Sequence, residues 1–272
     1  MALSNITLTA GMRANLLSLQ STQKLFDTTQ TRLATGNKVN SALDDPIAYF
    51  AAKSYTDRAN DLTALKDNMS EAIQIVKAAD AGITAIQDLI AQAKSLANSA
   101  LATASTTERA SAATQFDSLL TQITDLAADA TYKGTNLLGN DDLSVVFNEG
   151  STSSLTINGF DSSATTGLGI AVAAGSWATE TNINDAIADL DTANTTLRTE
   201  SKNLSSNLAI VNTRLEFTSN MISTLSTGAD NLTLADMNEE GANLLMLQTR
   251  QSLGVTALSL SSQAAQSILR LF

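Results

Sequence analysis

The residue types that carry most enzyme chemistry are few in this chain of 272 residues. It contains no histidine and no cysteine, which excludes imidazole bases, thiol nucleophiles and zinc sites built from these ligands. The 27 Asp and Glu residues still allow catalysis by paired carboxylates. This composition weakens the case for an enzyme, and we predict a protein that is not an enzyme and holds no metal or cofactor.

The spacings of Ser, Asp and Glu that stand out predict helix starts rather than reactive groups. A side chain that can cap a helix precedes an apolar periodic segment at three places: Asp45 before Pro46, Ser105 with Glu108, and Asp236 with Glu239. Gly36 is placed to end the helix before the first of them. The chemistry of these residues is therefore local hydrogen bonding.

Residues 46–102 carry the strongest periodic signal. Two lines of residues seven apart are apolar at every position, Leu62, Met69, Val76, Ile83, Ile90 and Ala97 in one and Leu65, Ala72, Ala79, Ile86, Ala93 and Ala100 in the other. This is the seam of a coiled coil. A helix of this length would extend about 85 Å at ~1.5 Å per residue, so it needs other long helices beside it.

Four more helices are predicted, over residues 3–34, 105–130, 182–226 and 236–272. The second and third of these have apolar cores, whereas the first and last dilute their seams with amides and small residues such as Gln23, Gln251 and Gly254. Such helices are marginal in water by themselves. We therefore expect the two ends to fold on assembly with other copies, although internal packing in an ordinary bundle is the alternative.

The middle of the chain differs in character. Leu143, Val145 and Phe147 alternate with polar residues, as do Leu155 and Ile157, around Gly150. This alternation predicts a β-hairpin. The rest of the segment to residue 181 is rich in Gly, Ser, Thr and Ala and is interpreted as a short outer excursion.

Charge is distributed unevenly. The net charge is −11, but residues 1–40 and 241–272 together carry +5 and the body carries −16. An acidic body without a basic stripe argues against nucleic-acid binding.

The longest apolar run, residues 47–52, is too short to insert in a membrane. The amino-terminal residues show no cleavable signal pattern.

These patterns predict a mainly α fold, a long coiled-coil helical hairpin with a small β-hairpin insert, whose termini form paired helices on assembly. The predicted domains are the terminal helices with their linkers (1–45 and 228–272), the long-helix domain (46–139 and 182–227) and the hairpin with a short variable insert (140–181).

Three segments resemble the bacterial flagellins. Residues 32–45, Arg-Leu-Ala-Thr-Gly-Asn-Lys-Val-Asn-Ser-Ala-Leu-Asp-Asp, resemble the amino-terminal signature of that family. Residues 132–138, Tyr-Lys-Gly-Thr-Asn-Leu-Leu, resemble the segment before its hairpin. The family's closing pattern is matched by Asp236, Glu239, Asn243, Leu247, Gln251, Leu258, Gln263, Leu269, Leu271 and Phe272. The likeness is greatest to the short flagellins of alphaproteobacteria.

The resemblance implies an extracellular structural subunit, exported unfolded by the flagellar type III apparatus without signal cleavage, that polymerises into the flagellar filament for swimming. The terminal helices would form an inner tube, and the longer helices a layer around it. Partners would be other copies of the chain, an export chaperone, the distal cap protein and the hook-associated junction protein. The alternative is that this chain is itself a junction protein.

For self-assembly we select apolar residues of the two end helices: Leu16, Leu19, Phe26, Leu33, Leu244, Leu247, Leu258, Ile268, Leu269 and Phe272.

Many flagellins are sensed by Toll-like receptor 5 through Leu-Gln-Arg-Val-Arg-Glu-Leu-Ala. Here the aligned residues 86–93 contain Gln87, Asp88, Leu89 and Ile90 and no arginine. Since charged anchors often dominate an interface, we predict that this chain evades the receptor.

Three other classes of protein have less support in the sequence. A type III translocator needs a long apolar segment, which is missing here. The zinc-protease insert of some flagellins needs histidine, which is absent. A carbohydrate-binding insert has the support of Trp177 alone.

Overall fold

The structure, a computed structural model, describes residues 10–269, although the side chains of Ile268 and Leu269 lie outside that description. Within this range the α-helices are α1 (Ala10–Thr35), α2 (Pro46–Ala102), α3 (Thr106–Asp129), α4 (Glu180–Thr233) and α5 (Met237–Leu269). Strands β1 (Leu143–Val146) and β2 (Ser154–Ile157) and a 3-10 turn (Ala174–Trp177) lie between α3 and α4. The predicted mainly α class with a small hairpin is confirmed.

The chain forms two units. The first, the end unit, contains residues up to Asp57 and from Thr224 onward, and the second, the central unit, contains Arg58–Ser223. The boundary between the units falls within α2, after Asp57, and within α4, before Thr224, so each of these helices contributes residues to both units. The two units are described separately below.

In the central unit α2 and α4 run antiparallel. Ser201 of α4 donates a hydrogen bond to Asp80 of α2 at 2.9 Å, and Lys94 pairs with Asp191, so the order along one helix is reversed along the other. The predicted line from Leu62 to Ala97 is buried throughout. The helical hairpin predicted from the heptads is thus present.

Helix α3 packs on this pair as a third helix. Its apolar face, Phe116, Leu120 and Ile123, is buried. The ring of Phe116 lies 4.9 Å from that of Trp177, centroid to centroid. At the start of the helix Arg109 donates to the carbonyl of Thr103 at 2.8 Å and to Glu180 at 3.2 Å.

The β-hairpin is antiparallel, with Leu143 opposite Ile157 and Val145 opposite Leu155. Val145 and Ile157 are buried, and the guanidinium of Arg214 on α4 lies 5.2 Å from the centroid of the Phe147 ring. The segment after the hairpin also enters the core through the side chains of Ala164, Leu168, Ile170 and Trp177. Composition alone did not indicate this contribution.

The three predicted caps are present, but among the described residues neither predicted capping box is complete, because the Asp236 N–H does not donate to Glu239 and the Ser105 N–H does not donate to Glu108. Asp45 accepts from the backbone N–H groups of Ile47 and Ala48, both at 3.0 Å, and Asp236 caps α5 in the same way. Ser105 accepts from Glu108 N–H at 3.4 Å. Glu108 does not return to the Ser105 N–H as a full capping box requires. Its carboxylate bonds the hydroxyl of Thr103, which itself accepts from Ser105 N–H.

The predicted end of α4 at residue 226 is wrong, because the helix continues to Thr233. Gly228 lies inside it. A β-carbon added there would meet the ring of Tyr55 at 3.4 Å. This is an ordinary van der Waals distance, so the position lies beside the Tyr55 ring without requiring glycine.

Candidate functional site

The end unit is built on contact between α1 and α5. Leu19, Phe26 and Leu33 are half-buried on α1, whereas Leu16 is exposed. On α5 Leu247 is buried, and Leu244 and Leu258 are half-buried. Most of the residues selected for assembly thus lie on faces that are at least partly covered within one chain. Of the others, the side chains of Ile268 and Leu269 and the whole of Phe272 lie outside the described residues.

Two contacts fix the register of this helix pair. Leu19 lies against Gly254, where an added β-carbon would be only 2.6 Å from Leu19 Cδ2. Gln251 donates a hydrogen bond to the side-chain oxygen of Gln23 at 2.7 Å. The small residue and the amides that dilute the predicted seams therefore serve close packing and register.

The end of α1 is tied to the start of α5. Arg32 donates to Glu240 at 2.9 Å, and the Glu240 side chain is about nine-tenths buried. Gly36, at φ +76°, ends α1 in the left-handed conformation, and its carbonyl accepts from Ala235 N–H at 2.9 Å. Lys38 N–H donates to the carbonyl of Thr233 at 2.7 Å. These bonds join residues 32–38 to the end of α4 and the start of α5.

The linker between α1 and α2 is a hydrogen-bonded turn around Asp44. One carboxylate oxygen accepts from the backbone N–H of Asn40 at 3.0 Å, the backbone N–H of Ser41 at 2.9 Å and the Ser41 hydroxyl at 3.1 Å. These bonds, the one from Asn40 first, hold the pKa of Asp44 below its usual value. The turn sets the position at which Asp45 starts α2.

A second set of apolar residues on the same helices points outward. Leu17 is 66% exposed and Leu253 65%. Other apolar side chains of these helices are between 49% and 66% exposed: Leu25, Leu245, Met246, Val255 and Leu260. These residues lie outside the heptad seams of α1 and α5, so the periodicity of the seams did not indicate them. Residues Leu244–Leu247 are apolar at four consecutive positions and therefore cover more than one face of α5. This run was the feature of the sequence that could have indicated an exposed apolar face.

The segment aligned with the receptor motif lies on α2 in the central unit. Asp88 is exposed, Gln87 and Leu89 are half-buried, and Ile90 is only 1% exposed. Position 90, where the motif has its second arginine, is therefore a core position in this chain.

Residues 132–138 terminate α3 in the central unit. Asn136 donates to the carbonyls of Ala127 and Ala128 at 2.8 and 3.1 Å, and its own oxygen accepts from Leu138 N–H at 3.0 Å. Leu137 and Leu138 are buried. This motif is a helix end that directs two leucines into the core.

Three further observations concern metal binding, membrane crossing and sugar binding. Among the described residues no group of three acidic side chains is arranged to hold a metal ion. None of the helices in residues 10–269 has the length and apolar character needed to cross a bilayer. Trp177 is fully buried, so its ring is not available for stacking against a sugar.

Comparison with known proteins gives the family. A family model described as the bacterial flagellin N-terminal helical region matches residues 7–142. Flagellins FljM and FljK of Caulobacter vibrioides are each 32% identical to this chain, with all of both chains covered. A flagellin of Brucella melitensis is 30% identical over 94% of this chain and 95% of its own. The chain belongs to the bacterial flagellin family.

Proposed function

We propose that this flagellin polymerises into the flagellar filament through the outward faces of α1 and α5. The observation that carries the proposal is the set of exposed leucines on both helices, including Leu17, Leu25, Leu245, Leu253 and Leu260. Several large exposed apolar side chains on two packed helices are typical of an interaction surface. Neighbouring copies would cover it.

The energetics favour such covering. Full burial of one leucine side chain contributes roughly 1.5–3 kcal/mol, and each copy would bury several. Association must offset the loss of rotational and translational freedom, about 4–15 kcal/mol. A few well-covered leucines per contact, repeated along the polymer, suffice.

The end unit would become ordered as subunits add. The α1–α5 contact contains amides and glycine as well as leucines, which is a weak basis for an isolated helix pair. Burial against neighbours offsets the entropy of ordering. A chain with loosely folded ends also suits export in an unfolded state, with a chaperone covering the apolar surface beforehand.

In the filament, residues 1–45 and 228–272 would form the inner tube, and residues 46–139 and 182–227 the layer around it, with residues 140–181 outermost. The distal cap protein and the hook-associated junction protein would contact the two ends of the polymer. The proposed location is the extracellular filament.

Electron microscopy of negatively stained protein, with short filament seeds, tests the proposal. The full chain should give long hollow filaments, and a chain lacking residues 1–40 and 241–272 should give none. L17S/L253S should reduce polymer, whereas V172S/I210S, a matched pair of exposed apolar residues in the central unit, should have less effect. A full chain that stays monomeric with protease-resistant ends, even when seeded, would overturn the proposal.

A further inference from the structure

A groove of about 470 Å³ lies in the central unit, between the β-hairpin and α4. One wall is formed by the end of β2 and the segment that follows it, and the other by one face of α4. The volume lies within the range of about 300–1,000 Å³ that is typical of small-molecule sites. We call this cavity the hairpin groove. The proposed polymerisation through α1 and α5 makes no use of it.

The α4 wall of the hairpin groove is a row of polar side chains. Glu200, Asn203 and Asn207 line it, and their spacing of three and then four residues places them on one face of the helix. Asn203 donates a hydrogen bond to Glu200 Oε2 at 3.2 Å, whereas the Asn207 side chain forms no hydrogen bond within residues 10–269. Since an amide both donates and accepts, this wall offers both kinds of group to a ligand.

The hairpin wall adds backbone groups. Phe147 N–H donates to the carbonyl of Ser153 at 2.9 Å, which fixes the alternation of hydrogen-bonded and non-bonded pairs along the β1–β2 ladder. By this alternation the N–H and carbonyl of Thr156 point away from β1, toward the free edge of β2. Because Thr156 lines the hairpin groove, a backbone donor and a backbone acceptor are available there.

The segment after β2 is held in place by the rest of the chain. Gly159 N–H donates to Asp142 at 3.0 Å, and Phe160 N–H donates to the carbonyl of Leu137 at 2.8 Å. A β-carbon on Gly159 would lie only 2.2 Å from the carbonyl oxygen of Asp141, so this close approach requires glycine. Phe160 packs partly on the core and also lines the groove. A wall that is ordered in advance lowers the entropic cost of binding.

The composition of the lining restricts the class of ligand. Among the described residues that line the groove, Glu200 is the one charged side chain. Without lysine or arginine the groove has no strong partner for a phosphate, sulfate or carboxylate group. Phe160 is the one large apolar side chain of the lining, which is too little for a lipid. A peptide added as a strand to β2 would need pockets for its alternate side chains.

We propose that the hairpin groove binds a neutral saccharide. A sugar ring carries hydroxyl groups that donate and accept around its rim, and these match Asn203, Asn207 and the backbone groups of Thr156. Its apolar C–H face matches the ring of Phe160. A few polar groups that fix orientation beside an aromatic surface are the usual composition of a small-ligand site. Every lining residue belongs to the central unit of one copy, so the inference does not depend on polymerisation.

NMR titration of the unseeded full chain tests the site. The probes are maltose, cellobiose, lactose and N,N′-diacetylchitobiose at millimolar concentrations. At least one of them should shift the backbone amide of Thr156 and the side-chain amides of Asn203 and Asn207. The side-chain amide of Asn98, exposed on α2, should not move. The inference is overturned if none of the four sugars produces a shift, or if the shifts lie outside the groove.

Two substitutions test the roles of the walls. Asn207→Ala should weaken binding of the responding sugar at least about tenfold, because a sugar hydroxyl loses its partner. Asn212→Ala is the matched control, an exposed asparagine of α4 outside the lining, and should bind like the native chain. Phe160→Leu keeps an apolar side chain against the core but removes the flat ring, and should also weaken binding. Equal loss in Asn207→Ala and Asn212→Ala would contradict the assignment.

Other occupants would give a different pattern. Sialyllactose carries a carboxylate, so it should bind no more tightly than lactose. Tighter binding of sialyllactose would contradict a neutral ligand. A peptide of alternating threonine and valine that slows amide exchange at Thr156, with no response to the sugars, would show strand addition to β2 and overturn the inference.

The inference and the proposed function fail in different ways. If seeded filaments form but none of the sugars binds, only the saccharide site is wrong. If a sugar binds in the hairpin groove but the full chain forms no filaments with seeds, only the proposed polymerisation is wrong.

Discussion

Leu19 of α1 occupies the space that a side chain at position 254 of α5 would need. An added β-carbon on Gly254 would lie 2.6 Å from Leu19 Cδ2 and 3.0 Å from its Cγ, closer than van der Waals contact permits. Glycine at this position therefore sets how closely α1 and α5 approach. The relationship joins residues more than two hundred positions apart.

Gly254→Val should push α1 away from α5. Overpacking of this kind costs about 1–3 kcal/mol, which should appear as faster amide exchange in both helices and as a loss of seeded polymer. Gly241→Ala is the matched control, because a β-carbon there meets nothing within 4 Å. It should stabilise α5 by up to about 1 kcal/mol. Equal behaviour of the two variants would contradict the close contact.

Arg32→Met should leave the buried carboxylate of Glu240 without its ion-pair partner. Removing one member of a buried pair costs about 3–5 kcal/mol, and we expect about 1–3 kcal/mol here because the Arg32 side chain is roughly one-third exposed. The measurement is amide exchange at the start of α5. Arg13→Met, at an exposed position, should change little, and R32M/E240M should recover part of the loss.

Asp44 should make the linker turn sensitive to acid. Its folded-state pKa is depressed, so its contribution is fully present above the unfolded value of about 3.9 and is lost as pH falls through the folded value. NMR should show the Asn40 and Ser41 amides shifting below about pH 4. Asp44→Asn should remove this titration, and Asp61→Asn should leave it intact. Amides that do not respond to acid in the native chain would refute the assignment.

The receptor prediction can be checked with purified monomer on reporter cells that express Toll-like receptor 5. We expect no robust response, because residues 86–93 lack both arginines of the motif. Ile90→Arg should not restore recognition. It would bury an unpaired charge at a position that is 1% exposed and destabilise the central unit by more than about 4 kcal/mol. A robust response to the native monomer would show the prediction to be wrong.

Periodicity determined the long elements because a heptad repeat is a local property of the sequence. The bounds of α2 agree with those predicted, and its seam is buried or half-buried at every position. The apolar residues of the hairpin strands are likewise buried or half-buried, because their alternation with polar residues requires one covered face. The absence of histidine and cysteine, and the three family motifs, likewise needed no structure.

Tertiary structure decided which small and polar residues serve long-range contacts. Gly228 lies inside α4 beside the ring of Tyr55, and Glu108 bonds Thr103 instead of closing a capping box. Trp177, a candidate for sugar binding from sequence, is buried against Phe116. Sequence spacing cannot report these outcomes, because each depends on a partner brought near by the rest of the fold.

The division of the end helices into covered and exposed apolar faces was also decided by tertiary structure. The sequence determined that α1 and α5 each carry more leucines than one seam needs. Only the register set by Leu19 with Gly254 and by Gln23 with Gln251 turns Leu17 and Leu253 outward. A helix has many faces, and packing against a specific partner selects which of them remains exposed.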